Sequence, residues 1–217
     1  MLQRLLELDT TLFFAINSFR HPVLDACMPT FSETWLLWFI SLSLFGMWAT
    51  YALRQKRVWA NMKIVVFGLV LLMGTAGIAN EITTGVKDAS KRLRPYHSLP
   101  LVYHRSHEGD WVHTPPPELF TPKLVQFDSF FSGHAAHSMA VAVGAATLCP
   151  PASPVIFAVP LAVGYSRLYL GKHYPGDVVC GWLFGLGMAL LARRLTKNLR
   201  KRFWGEAQKT EPGADRQ

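Results

Sequence analysis

Apolar and polar positions run along this chain in long blocks. Five apolar blocks stand out: Trp35–Leu53, Met62–Thr84, Ser132–Cys149, Pro154–Leu170 and Asp177–Ala192. Each approaches the ~20 residues that an α-helix needs to cross a hydrocarbon core. The second holds Gly68, Gly74 and Gly77, small residues that let helices approach closely. It also carries Glu81 near its end, a charge that has to face protein or water. The third, HAAHSMAVAVGAATL after its first two residues, is rich in Ala and Gly and predicts a centrally packed helix. Pro160 predicts a kink in the fourth, and Gly181, Gly185 and Gly187 again suit helix contact in the fifth.

Met1–Phe31 follows another pattern. Leu2, Leu5, Leu6, Leu8, Leu12 and Phe13 gather near one helical face, with Gln3, Arg4, Glu7 and Asp9 elsewhere. The uncharged run Thr10–Phe19 is too short to span. This predicts a helix lying in the membrane interface; a tilted first span, which would make six, is the alternative. The expected fold class is therefore all-α, a polytopic transmembrane helix bundle. Residues 1–203 read as one membrane-embedded domain, and 204–217, ending GEAQKTEPGADRQ, as a disordered tail. One long polar loop, Lys87–Phe131, carries Pro115-Pro116-Pro117 and four histidines, His97, His104, His107 and His113. Such length marks a functional or disordered segment.

Composition agrees with a membrane protein. Half the residues are apolar and 17% are charged, against roughly 25% in soluble domains. The seven Trp suit a chain with two membrane interfaces. The net charge of +8 does not point to nucleic acid, because much of it sits in Arg54–Lys63 and Arg193–Arg202, flanking apolar blocks. Cys27, Cys149 and Cys180 lie far apart with no CxxC, so no disulfide framework or zinc site is signalled. The N-terminus lacks the basic segment and clean apolar core of a cleavable signal peptide.

Three polar clusters stand at block ends. In KDASKRLRP, Lys87 and Arg94 are seven apart and would share one face of a helix that Pro95 then ends; a basic collar at the bilayer edge is the other reading. In FSGH, Ser132 is a natural N-cap, and the amides after it form a ready anion site at the positive helix end. His134 stands beside them as a proton donor, with His137 one turn on as its rival. In SRLYLGKHYPGD, Pro175-Gly176 puts His173 and Asp177 on a turn where a carboxylate can fix an imidazole tautomer. Here the plainer reading is Asp177 as a helix cap and His173 as an interfacial residue. If each block crosses once, all three clusters fall on one side. Three cations (Lys87, Arg94, Arg167), helix-end amides, two histidines and a carboxylate are equipment for a phosphoryl transition state. No Asp/Glu cage for Mg²⁺ accompanies them.

These stretches resemble the three signature motifs of the type 2 phosphatidic acid phosphatase superfamily, KxxxxxxRP, PSGH and SRxxxxxHxxxD. The spacing agrees in all three, and the one departure is Phe131 where the family usually has Pro. The resemblance covers Lys87 to Asp177, and the five-block pattern is similar to the small bacterial membrane members. It implies that His173 attacks phosphorus and becomes a phosphohistidine, while Asp177 hydrogen-bonds its other nitrogen. His134 would protonate the leaving oxygen and then activate water. Lys87, Arg94 and Arg167 would hold the phosphate oxygens, helped by Ser132 and the Gly133 amide. No metal and no cofactor are implied.

The expected substrate is a lipid phosphate or diphosphate within the bilayer. Undecaprenyl diphosphate comes first on family frequency; phosphatidylglycerophosphate, phosphatidate and a lipid A phosphate are the alternatives. A transporter or binding module that has lost activity would show decayed catalytic residues, and none is decayed. A metal centre on the loop histidines lacks HxxxH or HExxH spacing. The soluble vanadate-binding haloperoxidases share the motifs, but five apolar blocks count against them. Nothing in the sequence sets the oligomeric state. Arg54, Lys56, Arg57 and Lys63 fall on the same face as Arg193, Arg194, Lys197 and Arg200–Arg202, which the positive-inside rule makes cytoplasmic. The expected location is an inner (cytoplasmic) membrane, with the motifs on the periplasmic or outer face. Lys87, Lys91, Arg92 and Arg94 run against that rule, and an anionic substrate accounts for them.

Overall fold

A computed structural model describes residues 1–54, 66, 81–106, 108–123, 128–148 and 153–204. In it the N-terminal amphipathic stretch is two helices rather than one, α1 (Leu2–Asn17) and α2 (Pro22–Phe31). Pro22 sets the break: it has no N–H to give to a continuing helix but suits the first helical position. The His21 side chain caps the new helix by accepting from Val23 N at 3.2 Å. Next come α3 (Thr34–Leu53), a helical segment over residues 81–90 (α4) and a single turn, α5 (Pro95–Ser98). Strands β1 (Tyr103–Arg105) and β2 (Trp111–His113) follow, then α6 (Gly133–Leu148), α7 (Ser153–Tyr169) and α8 (Pro175–Trp204).

The third, fourth and fifth apolar blocks are thus helices close to their expected bounds, with α8 continuing well past Ala192. Most of the second block, most of the basic link Arg54–Lys63, His107, residues 149–152 and residues 205–217 lie outside the described residues. Among the described residues one helix, over Pro175–Leu195, is long and apolar enough to cross a bilayer, and Thr34–Met47 is a shorter apolar stretch.

Helix α6 packs against α3, α7 and α8. Its alanines turn inward: Ala135, Ala136, Ala142 and Ala145 are buried. On α8, a Cβ at Gly185 would stand 2.1 Å from the Ala136 carbonyl oxygen, and one at Gly181 2.5 Å from that of Ser132. Only glycine allows the two backbones this close. Gly187, by contrast, has no neighbour within 4 Å of an added Cβ among the described residues. Large apolar side chains point outward instead: Phe39 and Met47 on α3, Val155 and Leu161 on α7, Leu183 and Leu190 on α8. An apolar shell around a small-residue centre suits lipid better than water.

The long loop, expected to be a functional or disordered segment, carries the short helix α5 and a small hairpin. β1 and β2 pair antiparallel, Tyr103 opposite His113 and Arg105 opposite Trp111. Fully buried Asn17, the last residue of α1, fastens this hairpin. Its Oδ1 accepts from Tyr103 N at 2.9 Å, while Nδ2 donates to the Tyr103 and Tyr169 carbonyls at 2.9 and 3.0 Å. Arg20 adds a second tie, its guanidinium 3.7 Å from the Trp111 ring centre and 4.2 Å from that of Tyr169.

Lys87 and Arg94 do not share one helix face, contrary to expectation. The helix through Lys87 stops at residue 90, Lys91 takes a left-handed φ of 47°, and Arg94 is extended at φ −68°, ψ 151°. Pro95 accounts for the extended Arg94, since a residue before proline is driven out of the helical region.

Candidate active site

The site is built where α6, α7 and α8 end or begin. The last turn of α7 carries Ser166 and Arg167, both buried. Ser166 Oγ donates to the Met28 carbonyl at 2.6 Å and meets Ser32 Oγ at 2.7 Å, tying α7 to the α2–α3 turn. Beyond Tyr169 the chain reverses at Gly171, whose φ of 68° favours glycine and where a Cβ would stand 2.7 Å from the Tyr103 carbonyl oxygen. Lys172 N and His173 N then both donate to the Arg167 carbonyl, at 3.0 and 3.3 Å.

This turn delivers His173 into the interior, 2% exposed. Its Nδ1 lies 2.7 Å from the Ser129 carbonyl oxygen. A carbonyl only accepts, so Nδ1 carries the proton and Nε2 keeps its lone pair. Asp177 Oδ2 is 3.8 Å from the same Nδ1, in ion-pair range but beyond a hydrogen bond. The carboxylate is instead held by three donors: Arg92 Nη1 at 2.7 Å, Ser129 Oγ at 2.6 Å and Tyr174 N at 2.9 Å. The last bond reaches back across the first turn of α8, one half of a capping box. Asp177 thus caps α8 from its third helical position rather than from the N-cap itself, and the expected hydrogen bond to His173 is not made. Burial pushes His173 down to about 4; the Asp177 carboxylate pulls against this, and the charges of Arg167 and Arg94 push the same way as burial. His173 is neutral at ordinary pH.

Ser132 is fully buried and caps α6, with its Oγ 3.4 Å from Ala135 N, while Ser132 N donates to the Asp177 carbonyl at 3.0 Å. The anion-attracting end of α6 and the first turn of α8 are thus joined directly. One residue into the helix, His134 Nε2 meets Thr34 Oγ1 at 3.2 Å. His137, the rival, lies a turn deeper against α3, with Nε2 3.0 Å from Ser41 Oγ and its ring edge-on to Trp38.

The three expected cations converge. Arg94 pairs through Nη2 with Asp128 at 2.5 Å, and its Nε has no partner among the described residues. Arg167 is 3% exposed; its Nη1 reaches the Ser32 carbonyl at 3.5 Å, and its Nε likewise has no partner among the described residues. The Lys87 ammonium is half-buried, its pKa lowered by burial and by Arg94 and Arg167, with Asp128 opposing. Lys172 belongs to the same crowd: burial, then Arg167 and Arg94, lower it to about 8.

The described loop histidines pack on tyrosine rings, and His97 feels the charges of Arg94 and Asp128. His97 and His104 lie against the Tyr96 ring and His113 against Tyr103. Among the described residues no group of three or more His, Cys, Asp or Glu is placed to hold a metal. Sequence reasoning missed Ser129, Asp128, Thr34 and Asp9, and it read Arg92 only as part of a basic cluster. Ser129 and Asp128 adjoin the FSGH motif and Arg92 lies inside KDASKRLRP, so proximity was a usable signal for these. Thr34 and Asp9 come from distant helices and carried none.

Residues 64–201 match the family model described as the PAP2 superfamily. The chain belongs to that superfamily, and with it to the lipid phosphatases. It is 24% identical to the Lipid A 4'-phosphatase of Porphyromonas gingivalis over 216 residues, 98% of this chain and 83% of that protein. It is 36% identical to the Undecaprenyl-diphosphatase of Sulfolobus acidocaldarius over 81 residues, 36% of this chain and 37% of that one. The fold is similar to the crystal structure of the transmembrane PAP2 type phosphatidylglycerolphosphate phosphatase from Bacillus subtilis. That likeness has a TM-score of 0.59 at 22% identity, covering 92% of this chain and 89% of that one.

Proposed function

We propose that this protein hydrolyses the phosphate of a membrane lipid through a phosphohistidine on His173. The observation that carries the reading is Arg167: a buried guanidinium with no carboxylate ion pair among the described residues and an unpartnered Nε, beside Arg94 with the same vacancy. A buried cation left this way is costly unless an anion arrives to pair with it. The neutral Nε2 lone pair of His173 attacks phosphorus, forming the P–N bond as the P–O bond to the lipid breaks. His134 takes up a proton together with the incoming phosphate anion and gives it to the leaving oxygen. Water then attacks the phosphohistidine, passing a proton to His134 as the P–N bond breaks and phosphate is released. Lys87, Arg94 and Arg167, with Ser132 and the Gly133 amide at the head of α6, hold the phosphoryl oxygens. The groups in this scheme all come from the chain itself, so turnover in EDTA is expected.

The alignment over nearly the whole chain favours a lipid A phosphate as substrate. Undecaprenyl diphosphate is the second reading, favoured by the shorter but closer match. We further propose a bundle of five crossings with α1 and α2 at one surface. The site lies at the start of α8, and Arg193 and Arg194 follow its apolar stretch about 25 Å along the helix axis. The basic end then lies in the cytoplasm and the site on the outer face.

Purified protein in EDTA, offered lipid A, undecaprenyl diphosphate, phosphatidylglycerophosphate and phosphatidate, tests this by phosphate release. Lipid A should be turned over fastest. Release from none of the four, or only with an added divalent ion, would overturn the reading. A cysteine placed in Glu108–His113 should label in intact cells with an impermeant maleimide; labelling only after lysis would reverse the orientation.

A further inference from the structure

Asp9 and Arg92 are absent from the machinery just described, yet both reach the catalytic turn. Arg92 spreads its guanidinium between two carboxylates, Nη1 to Asp177 Oδ1 at 2.7 Å and Nη2 to Asp9 Oδ2 at 2.5 Å. Its flat face lies 4.1 Å from the centre of the Tyr174 ring. Asp9 uses its other oxygen to accept from Gly176 N at 2.6 Å, and a Cβ at Gly176 would stand 3.2 Å from that carboxylate. The Arg92 carbonyl accepts from Ser129 N at 3.1 Å. The bonds close a ring: Arg92 backbone to Ser129, Ser129 Oγ to Asp177, Asp177 back to the Arg92 guanidinium. Ser129 is also the residue whose carbonyl holds His173 Nδ1.

An arginine serving phosphate would keep donors free, as Arg167 places no nitrogen on a carboxylate among the described residues and Arg94 only one, each with Nε unpartnered. Arg92 spends both Nη atoms on carboxylates. Asp177 is fully buried, so one of its oxygens left without a donor would carry an uncompensated charge. The carboxylate would then turn toward other donors and pull on Ser129. We propose that Arg92 and Asp9 are positioning residues for the His173–Asp177 pair, which makes helix α1 a working part of the active site. This rests on the reading of His173 as nucleophile. A lysine at position 92 cannot bridge two carboxylates while stacking on Tyr174.

The test is steady-state hydrolysis of lipid A, or of undecaprenyl diphosphate if that is what the wild type turns over, with vanadate as the oxyanion probe. Arg92→Gln is expected to lower kcat by roughly 10- to 100-fold, with KM and the vanadate Ki unchanged within about twofold. Asp9→Asn should lower kcat less, and the double variant should be no slower than Arg92→Gln alone. Arg92→Lys should recover only part of the loss. A vanadate Ki that rises together with the fall in kcat would make Arg92 a phosphate ligand, and multiplying effects of the two substitutions would break the link through α1. Either result overturns the proposal. Wild type and His173→Ala run beside these variants. An active His173→Ala sinks the nucleophile reading, whereas an inert His173→Ala with Arg92→Gln at the wild-type rate sinks the positioning alone. Should Arg92→Gln fail to fold, Asp9→Asn and Arg92→Lys carry the same comparison of kcat with Ki.

Discussion

The two sides of this site are built on opposite principles. On the nucleophile side, Ser129, His173 and Asp177 are buried, and the Asp177 oxygens and His173 Nδ1 all have partners within the chain. On the oxyanion side, Arg94 and Arg167 carry unpartnered Nε atoms, and Lys87 and Lys172 are held below their usual range by burial and by one another's neighbours. On the proposed mechanism, one side is finished before substrate arrives and the other is completed by it. Preorganising the attacking group lowers the reorganisation needed in the transition state. Leaving Arg167 without a carboxylate among the described residues makes the incoming anion its strongest available partner.

Substitutions on the oxyanion side should therefore change anion affinity and rate together, and those on the nucleophile side rate alone. After His173, whose loss should abolish release, the largest effect is expected at His134, which serves both steps: His134→Ala should lower kcat by about 10²- to 10⁴-fold in a phosphate-release assay. Next come Arg94→Lys and Arg167→Lys. Each should cost roughly 10²- to 10³-fold in kcat/KM and raise the vanadate Ki, because a point charge cannot reproduce a planar two-donor grip. Full activity with unchanged inhibition would return them to a basic collar.

A smaller effect should come from pH. Lys172 is charged below about 8 and neutral above it, so inhibition by sulfate should weaken as pH rises through that value. Sulfate stays a dianion throughout, and Lys172→Gln should remove the step. Smallest is Asp128→Asn. The Arg94–Asp128 pair is partly exposed, so freeing Arg94 should tighten vanadate binding by no more than about fivefold. Weaker binding in Asp128→Asn would mean that Asp128 orients Arg94 rather than competing for it.

The apolar blocks made α6, α7 and α8 legible, because a helix buried among helices or in lipid announces itself by length and composition. The motif spacing likewise brought His134, His173, Asp177 and Arg167 to one end. What the sequence did not disclose depends on distant partners. The β1–β2 hairpin has strands of three residues, and Asn17 at the end of α1 fastens it. The direct Asp177–His173 bond gave way to the Ser129 carbonyl, a backbone group that no side-chain pattern reveals. Lys87 and Arg94 meet across a bend because local proline geometry overrode helical spacing.

The central claim is the covalent step on His173. Lipid substrate labelled in the scissile phosphate, mixed with purified protein in EDTA and quenched in alkali, reads that step directly, because phosphohistidine survives base. The account predicts label in the peptide containing His173, and neither label nor phosphate release from His173→Ala. Phosphate release by His173→Ala at close to the wild-type rate would contradict it.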